Sequence, residues 1–147
     1  LAIAGLIFLM VFIALPALQR NQRDTQRKND ASRLKDAIER YKGNNRGSLP
    51  FGDEYSTQRS DLNPFLVSYL NSDNGEFKDP SGGFYNFKFN SPSIASSTRW
   101  RFEGRFDTNI DINRGKKCDG EYIIPEKGRN SYTIYVKLEG GRYCIDG

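Results

Sequence analysis

Residues 1–18 have the sequence LAIAGLIFLMVFIALPAL, and residues 19–42 continue as QRNQRDTQRKNDASRLKDAIERYK. The first run contains no charged or polar side chain. As an α-helix it is about 27 Å long, close to the hydrocarbon thickness of a bilayer. A core helix in so polar a chain would be amphipathic, and a cleaved signal would be followed by unrelated sequence, whereas here the helical pattern continues. We therefore predict a helix that anchors the chain in a membrane.

Residues 19–42 contain no glycine or proline, so the same helix is predicted to continue to about residue 42. An apolar stripe with the spacing of a helix face is present only in its second half. Its members are Ala31, Leu34, Ile38 and Tyr41. Residues 19–30 are polar on every side, so a globular head is expected to pack on the second half. We assign residues 1–30 to assembly and residues 31–147 to the head.

A single helix over residues 1–42 would be about 63 Å long, whereas helices in globular proteins average about 11–12 residues. Such a length indicates contacts with other chains. Pro16 removes the hydrogen bond to the Phe12 carbonyl and crowds that turn, so we expect a kink or a locally unwound stretch there. Gly5 is a second weak point in the helix.

The net charge of +4 is confined to the polar part of this helix. Residues 19–42 carry eight basic and four acidic side chains, whereas residues 43–147 carry 14 of each. An electroneutral head lacks the concentrated positive face that phosphate binding requires, so DNA is kept only as an alternative partner. The chain has no histidine, no nucleophile elbow and no phosphate loop. We expect no catalytic residues, no metal and no cofactor, and the protein is predicted not to be an enzyme.

The two cysteines, Cys118 and Cys144, are not part of a CxxC motif, and no histidine completes a zinc site. This favours a disulfide in an oxidising compartment; the alternative is two unpaired thiols in a cytoplasmic protein. A disulfide places the head outside the cytoplasm, whereas the basic flank after Leu18 favours the inside. A short basic segment before Leu1 would reconcile the two signals.

The rest of the chain is predicted to form a β-rich head. Residues 43–60 are rich in turn residues and are expected to form a loop. Residues 61–70 favour a short helix capped by Asp61 or Asn63, with Pro64 at its first position. Strands are predicted at residues 84–89 and 100–112 and in a hairpin within residues 131–147, with Gly140 and Gly141 in its turn.

The strand at residues 100–112 alternates apolar residues with Asp107, Asn109 and Asp111. An Asp/Asn series suggests calcium, but the loop glycine and the closing glutamate of an EF-hand are missing, so a solvated strand face is favoured. An antiparallel sheet laid on the apolar stripe of the helix would bury both surfaces. The predicted fold class is α+β, with a helix at residues 1–42 and a head at residues 43–147.

The run GLIFLMVFIALPALQRNQRDTQRKNDASRLKDAIERYKGNNRGSLP, residues 5–50, resembles the N-terminal helix of type IV pilins and their pseudopilin relatives. The likeness consists of an apolar segment with an early glycine, an ALP proline, a polar continuation that ends near a tyrosine, and an Asn/Gly-rich stretch before LP. It covers about a third of the chain. The remainder is similar only in outline, as a β-rich head with a late cysteine pair like the C-terminal disulfide-bounded region of the family.

This resemblance implies a structural subunit that is made as a precursor in the inner membrane, trimmed and methylated by a prepilin peptidase, and assembled by a pilus platform into a helical surface filament. The partner would be further copies of the chain, and the segment from Gly5 to Pro16 would unwind in the filament. The apolar side chains that would pack in the filament core are Leu6, Ile7, Leu9, Met10, Phe12, Ile13 and Leu15.

Two other functions remain as alternatives to a pilus subunit. One is a pseudopilin of type II secretion, and the other is a monomeric membrane-anchored binding module with an extracytoplasmic head. A simple tether gains nothing from a continuous helix with an apolar half of low β-branch content, whereas a polymer needs neighbouring helices in register. We therefore favour the filament subunit; adhesion, motility and DNA uptake are all compatible with this sequence.

Overall fold

A computed structural model describes residues 2–95, 98–126, 128 and 130–147. It contains a long N-terminal helix, short helices and seven strands in an α+β arrangement. The helices are α1 (Ala2–Asn44), α2 (Pro64–Leu70) and α3 (Pro92–Ala95). The strands are β1 (Ser56–Arg59), β2 (Asn86–Phe89), β3 (Asn109–Arg114), β4 (Lys116–Asp119), β5 (Tyr122–Pro125), β6 (Tyr132–Leu138) and β7 (Gly141–Asp146).

Helix α1 confirms the predicted continuation of the apolar run into the polar one. It is α-helical from Ala2 to Asn44 and includes Pro16. In this monomer the backbone is therefore helical on both sides of the proline, and the unwinding between Gly5 and Pro16 that the filament implies stays a prediction.

Five strands form a mixed sheet in the order β1-β2-β3-β6-β7. The prediction of an antiparallel sheet is wrong for one pair, because β2 and β3 are parallel, with Phe87 opposite Ile110. A parallel pair needs a crossover connection, and residues 90–108 supply it. This is why the strand predicted at residues 100–112 begins only at Asn109.

The main core lies between α1 and one face of the sheet. The apolar residues of β2 point to this face, as the alternation of Tyr85, Phe87 and Phe89 predicts. The other face of the sheet carries a second cluster around Ile94, Ile123 and Tyr135. Strand β6 is consequently buried along its whole length. It lies between β3 and β7 and contributes side chains to both clusters.

Strand β6 runs antiparallel to α1. At one end the Tyr132 hydroxyl donates to Glu39 at 2.7 Å, and just beyond the other end the Glu139 N–H donates to Asp24 at 2.9 Å. Seven residues of strand and fifteen residues of helix both span about 23 Å, so the two elements match in length. The turn between β6 and β7 therefore points toward the apolar end of α1.

Several smaller elements confirm or correct the sequence predictions. Asn63 caps α2, because its side chain accepts from two backbone N–H groups and Pro64 follows as predicted. The predicted loop at residues 43–60 contains strand β1. The hairpin turn consists of Glu139 and Gly140 and lies one residue earlier than predicted, since Leu138 pairs with Gly141.

The prediction of a solvated strand face is wrong at Asp111. Its side chain is buried on the face of the sheet opposite α1, 3.3 Å from the ammonium of Lys137, which is buried as well. Burial raises the pKa of Asp111, while Lys137 opposes that effect. The alternating pattern of this strand thus reflects two buried faces, one apolar and one polar.

Candidate assembly helix and its junction with the head

The first part of α1 is an exposed apolar helix. Its most apolar window of 18 residues has a mean hydropathy of 2.3, and none of that window is buried in the protein. Length and composition allow this helix to cross a membrane. Large hydrophobic side chains exposed on this scale mark a surface that another molecule covers.

The side chains predicted to pack in a filament core all lie on this exposed segment. Between 45% and 74% of their surface is exposed. They are Leu6, Ile7, Leu9, Met10, Phe12, Ile13 and Leu15. Gly5 has open space around its Cα, so a neighbouring helix can approach its backbone closely. The monomer leaves all seven of these side chains available for contact with lipid or with another chain.

The second part of α1 packs on the head at the predicted stripe. Ala31, Leu34 and Ile38 are fully buried in the main core, together with Ala37. Tyr41 is half-buried and contacts α2, where its ring lies edge-on to the ring of Phe65 with centroids 5.5 Å apart. The helix is therefore part of the head's own core as well as its extension.

The head also covers polar residues that the sequence analysis left exposed. Asp24, Arg27 and Asp30 are buried, so the prediction that the head packs only on the second half of residues 19–42, the neck, is wrong. These residues continue the face of Ala31 and Leu34 toward the N-terminus at helical spacing. The helical spacing of these three residues was the available signal in the sequence. Because the residues are charged, the same spacing is also typical of a helix face exposed to solvent.

Arg27 is the centre of a buried ionic network. Its guanidinium donates to Asp79 at 2.7 and 3.1 Å, to Asp24 at 2.9 Å and to Glu139 at 2.9 Å. The ring of Phe106 lies 4.3 Å from the guanidinium carbon and covers it. One helix side chain thus binds three carboxylates from three parts of the chain.

The carboxylates of Asp79 and Glu139 in this network are stabilised in their charged form. Burial alone would raise the pKa of Asp79, but hydrogen bonds from Arg27 and Ser81 outweigh it and hold the pKa below its usual range. Hydrogen bonds from Arg23, together with Arg27, lower the pKa of Glu139 to about 2. Both groups are therefore ionised at neutral pH.

Asp24 fastens the β6–β7 turn to the helix. Its two carboxylate oxygens accept the backbone N–H groups of Glu139 and Gly140, each at 2.9 Å. Arg23 holds the Glu139 side chain through two parallel bonds of 2.8 and 2.9 Å. Six residues further along the helix, the Tyr85 hydroxyl donates to Asp30 at 2.7 Å. These bonds fix the rotation of the neck about the helix axis and its position along that axis relative to the sheet.

Cys118 and Cys144 form a disulfide, with their Cα atoms 5.7 Å apart. The bond joins β4 of the small β4–β5 hairpin to edge strand β7, and the Cys118 N–H also donates to Asp146 at 2.6 Å. The disulfide thus links the β4–β5 hairpin covalently to the edge of the five-stranded sheet. Among the residues that the structure describes, no group of three His, Cys, Asp or Glu side chains is placed to hold a metal ion.

Comparison with protein-family models, with curated proteins and with solved structures finds no match for this chain.

Proposed function

We propose that this protein is a structural subunit of a type IV pilin-like filament on the cell surface. Residues 1–18 anchor it in the inner membrane before assembly and pack at the centre of the filament afterwards. The observation that carries the proposal is the wholly exposed apolar segment of α1, continuous with a helix that is locked into the core of the head.

The locked neck favours a polymer over a simple anchor. A tethered head functions with any flexible connection to its membrane segment. Here, Asp24, Arg27 and Asp30 are buried under the head and fix its height on the helix. Burying charges costs stability unless they are fully paired, and buried ionic groups are best attested as devices that specify register. In a helical polymer, contacts between apolar helices would then position every head identically.

The disulfide supports an extracytoplasmic head. Disulfides persist in the periplasm and at the cell surface and are rare in the cytosol. The prepilin peptidase and the assembly platform follow as partners from the sequence resemblance. The filament itself consists of further copies of the chain.

Electron cryomicroscopy of material sheared from the producing cells tests the proposal. We expect filaments whose density contains this chain, with residues 2–18 at the centre. The map would also show whether Gly5 to Pro16 unwinds. Detecting the protein only as dispersed monomers in the membrane fraction would refute the filament and favour an anchored binding module.

A pair of matched variants separates helix packing from general damage. Phe12→Ala shortens an exposed side chain of the apolar segment, and burial of that ring in a filament core would make the change cost about 3–5 kcal/mol per subunit. Leu62→Ala removes an exposed apolar side chain of the head instead. We expect sheared filaments to be lost with Phe12→Ala alone, while both variants remain in the membrane fraction of unsheared cells.

A further inference from the structure

Lys137 and Asp111 are oppositely charged side chains buried together on the face of the sheet opposite α1. Their side chains are 1% and 4% exposed, and the Lys137 Nζ lies 3.3 Å from the Asp111 Oδ2. That oxygen nevertheless accepts no hydrogen bond of regular geometry. Burying an ion pair costs stability unless its hydrogen bonds are complete. The two groups are therefore in contact without forming a fully bonded salt bridge.

The strands hold these two side chains next to each other. Asp111 is paired with Tyr135 across the antiparallel β3–β6 ladder, so Lys137, two residues further along β6, is its diagonal neighbour. The ring of Phe102 covers the ammonium, with its centroid 4.1 Å from the Nζ. Groups held about 3–3.5 Å apart in a fixed orientation react as if each were present at about 10⁵–10⁸ M. The nitrogen of Lys137 is thus held beside a carboxyl group that an amine can attack.

A second carboxylate touches the same nitrogen. The Asp107 Oδ1 lies 3.0 Å from the Lys137 Nζ, and 36% of the Asp107 side chain is exposed. Its two oxygens also accept the backbone N–H of Asn109 at 3.0 Å and the Asn109 side-chain amide at 2.8 Å. A carboxylate within hydrogen-bond reach of a nitrogen can take a proton from it. Asp107 is therefore placed to carry a proton away from Lys137.

Asp111 differs from Asp107 because it has almost no contact with water. Burial raises the pKa of Asp111, while Lys137 and Lys88, its neighbour on β2, oppose that effect. Burial therefore favours the uncharged acid more than water does. An amine displaces the hydroxyl of a carboxylic acid more readily than the oxygen of a carboxylate. Of the two carboxyl groups beside Lys137, Asp111 is the one suited to attack.

We propose that Lys137 and Asp111 condense into an intramolecular amide bond between β3 and β6. The Lys137 Nζ forms a bond to the Asp111 Cγ, and one C–O bond of Asp111 breaks. One of the three ammonium protons stays on the amide nitrogen, and the other two leave with the carboxyl oxygen as one water molecule. Asp107 takes one of these two protons from the nitrogen and delivers it to the departing oxygen. The reaction consumes no oxidant or co-reactant, and it removes two buried charges.

The amide fastens the strand that connects the head to the helix. Strand β6 is bonded to α1 through Tyr132 at one end, and the residue that follows its other end, Glu139, is bonded to α1 as well. The disulfide links a different pair of strands, β4 and β7. The head then contains two cross-links, of which a reducing agent opens only one. This inference concerns the head alone and is independent of the proposed filament.

Mass spectrometry of the full chain, purified in detergent and then denatured and reduced, tests the inference. We expect a mass lower by one water molecule than the sequence requires. Trypsin cleaves after arginine and after lysine with a free amine. The digest should therefore contain one branched peptide in which residues 106–114 are joined to residues 130–142.

Variants assign the water loss to this pair of residues. Lys137→Arg keeps the positive charge, but a guanidinium stays protonated and does not attack a carboxyl group, so this variant should have its full mass. The matched control Lys88→Arg changes the lysine opposite Asp111 on β2 and should still lose water. In pulse-labelled chains, Asp107→Asn should slow the water loss by about 100-fold, because it removes the proton carrier. Unchanged circular dichroism verifies that each variant is folded.

Three results would contradict the inference. Full mass of the unmodified chain, without the branched peptide, would show that the pair remains ionic. A water loss that persists in Lys137→Arg would place the dehydration elsewhere in the chain. An unchanged rate in Asp107→Asn would exclude Asp107 as the proton carrier. The first result does not depend on whether any variant folds.

Discussion

Replacing Arg27 with methionine should destabilise the head more than any other single change on the polar part of α1. Methionine roughly preserves the buried volume but removes the cation that three carboxylates share. Asp24 would keep its two backbone N–H bonds, and Glu139 would keep Arg23. Asp79 would lose its cation while its side chain remains fully buried.

The magnitude follows from that uncompensated charge. Removing one partner of a buried ion pair costs about 3–5 kcal/mol, because the other charge remains in a medium of low dielectric. For a head of this size, such a loss corresponds to a fall of about 10–20 °C in the unfolding midpoint. A second substitution, Asp79→Asn, removes the orphaned charge, so the Arg27→Met/Asp79→Asn variant should recover at least half of the loss.

Urea unfolding of residues 19–147, followed by circular dichroism, measures this effect. The apolar segment can be omitted because its most apolar window buries nothing in the head. Arg20→Met is the matched control, since Arg20 is exposed and forms no salt bridge within the described residues; its cost should stay below about 0.5 kcal/mol. A loss below about 1 kcal/mol for Arg27→Met, or no recovery in the double variant, would refute the account of the network.

The remaining predictions concern assembly, the disulfide and acid stability. Deleting residues 1–18 should give a soluble monomeric head in analytical ultracentrifugation, and polymers of the truncated chain would contradict assembly through the helix. Reducing the Cys118–Cys144 disulfide should cost the head about 3 kcal/mol of unfolding free energy in the chain-entropy model and should lower its melting temperature. An unchanged melting temperature would show that the disulfide does not stabilise the head. Because the folded state lowers the pKa of Glu139 to about 2, its contribution is present above about pH 4.5 and is lost as the pH falls toward 2. Glu139→Gln should therefore flatten the stability profile between about pH 5 and 2, and a profile that stays parallel to that of the unmodified head would exclude this role.

Local signals were sufficient for much of the fold. The apolar run and its helical continuation predicted α1, and the spacing of Ala31, Leu34 and Ile38 predicted the face that the head covers. Asn63 followed by Pro64 predicted the start of α2. Each of these features depends on residues within one or two turns of each other.

The features that were missed depend on distant partners. A buried charge has the same local pattern as a solvated one, and only the arrival of Asp79, 52 residues from Arg27, makes burial tolerable. The same holds for Asp111, which needs Lys137 on the neighbouring strand. The parallel pairing of β2 with β3 was missed because strand direction depends on the course of the crossover, which has no periodicity of its own.

By itself, the sequence determined that a long apolar helix precedes the head, and it favoured a disulfide between the two cysteines, because hydrophobic patterning and cysteine parity are properties of the chain alone. Only the tertiary structure decided how far along the neck the head reaches. That boundary lies at Arg23 and Asp24 because the β6–β7 turn brings its N–H groups and Glu139 to the helix there. The position of an ionic contact is fixed by the geometry of both partners, and one partner's local sequence does not contain it.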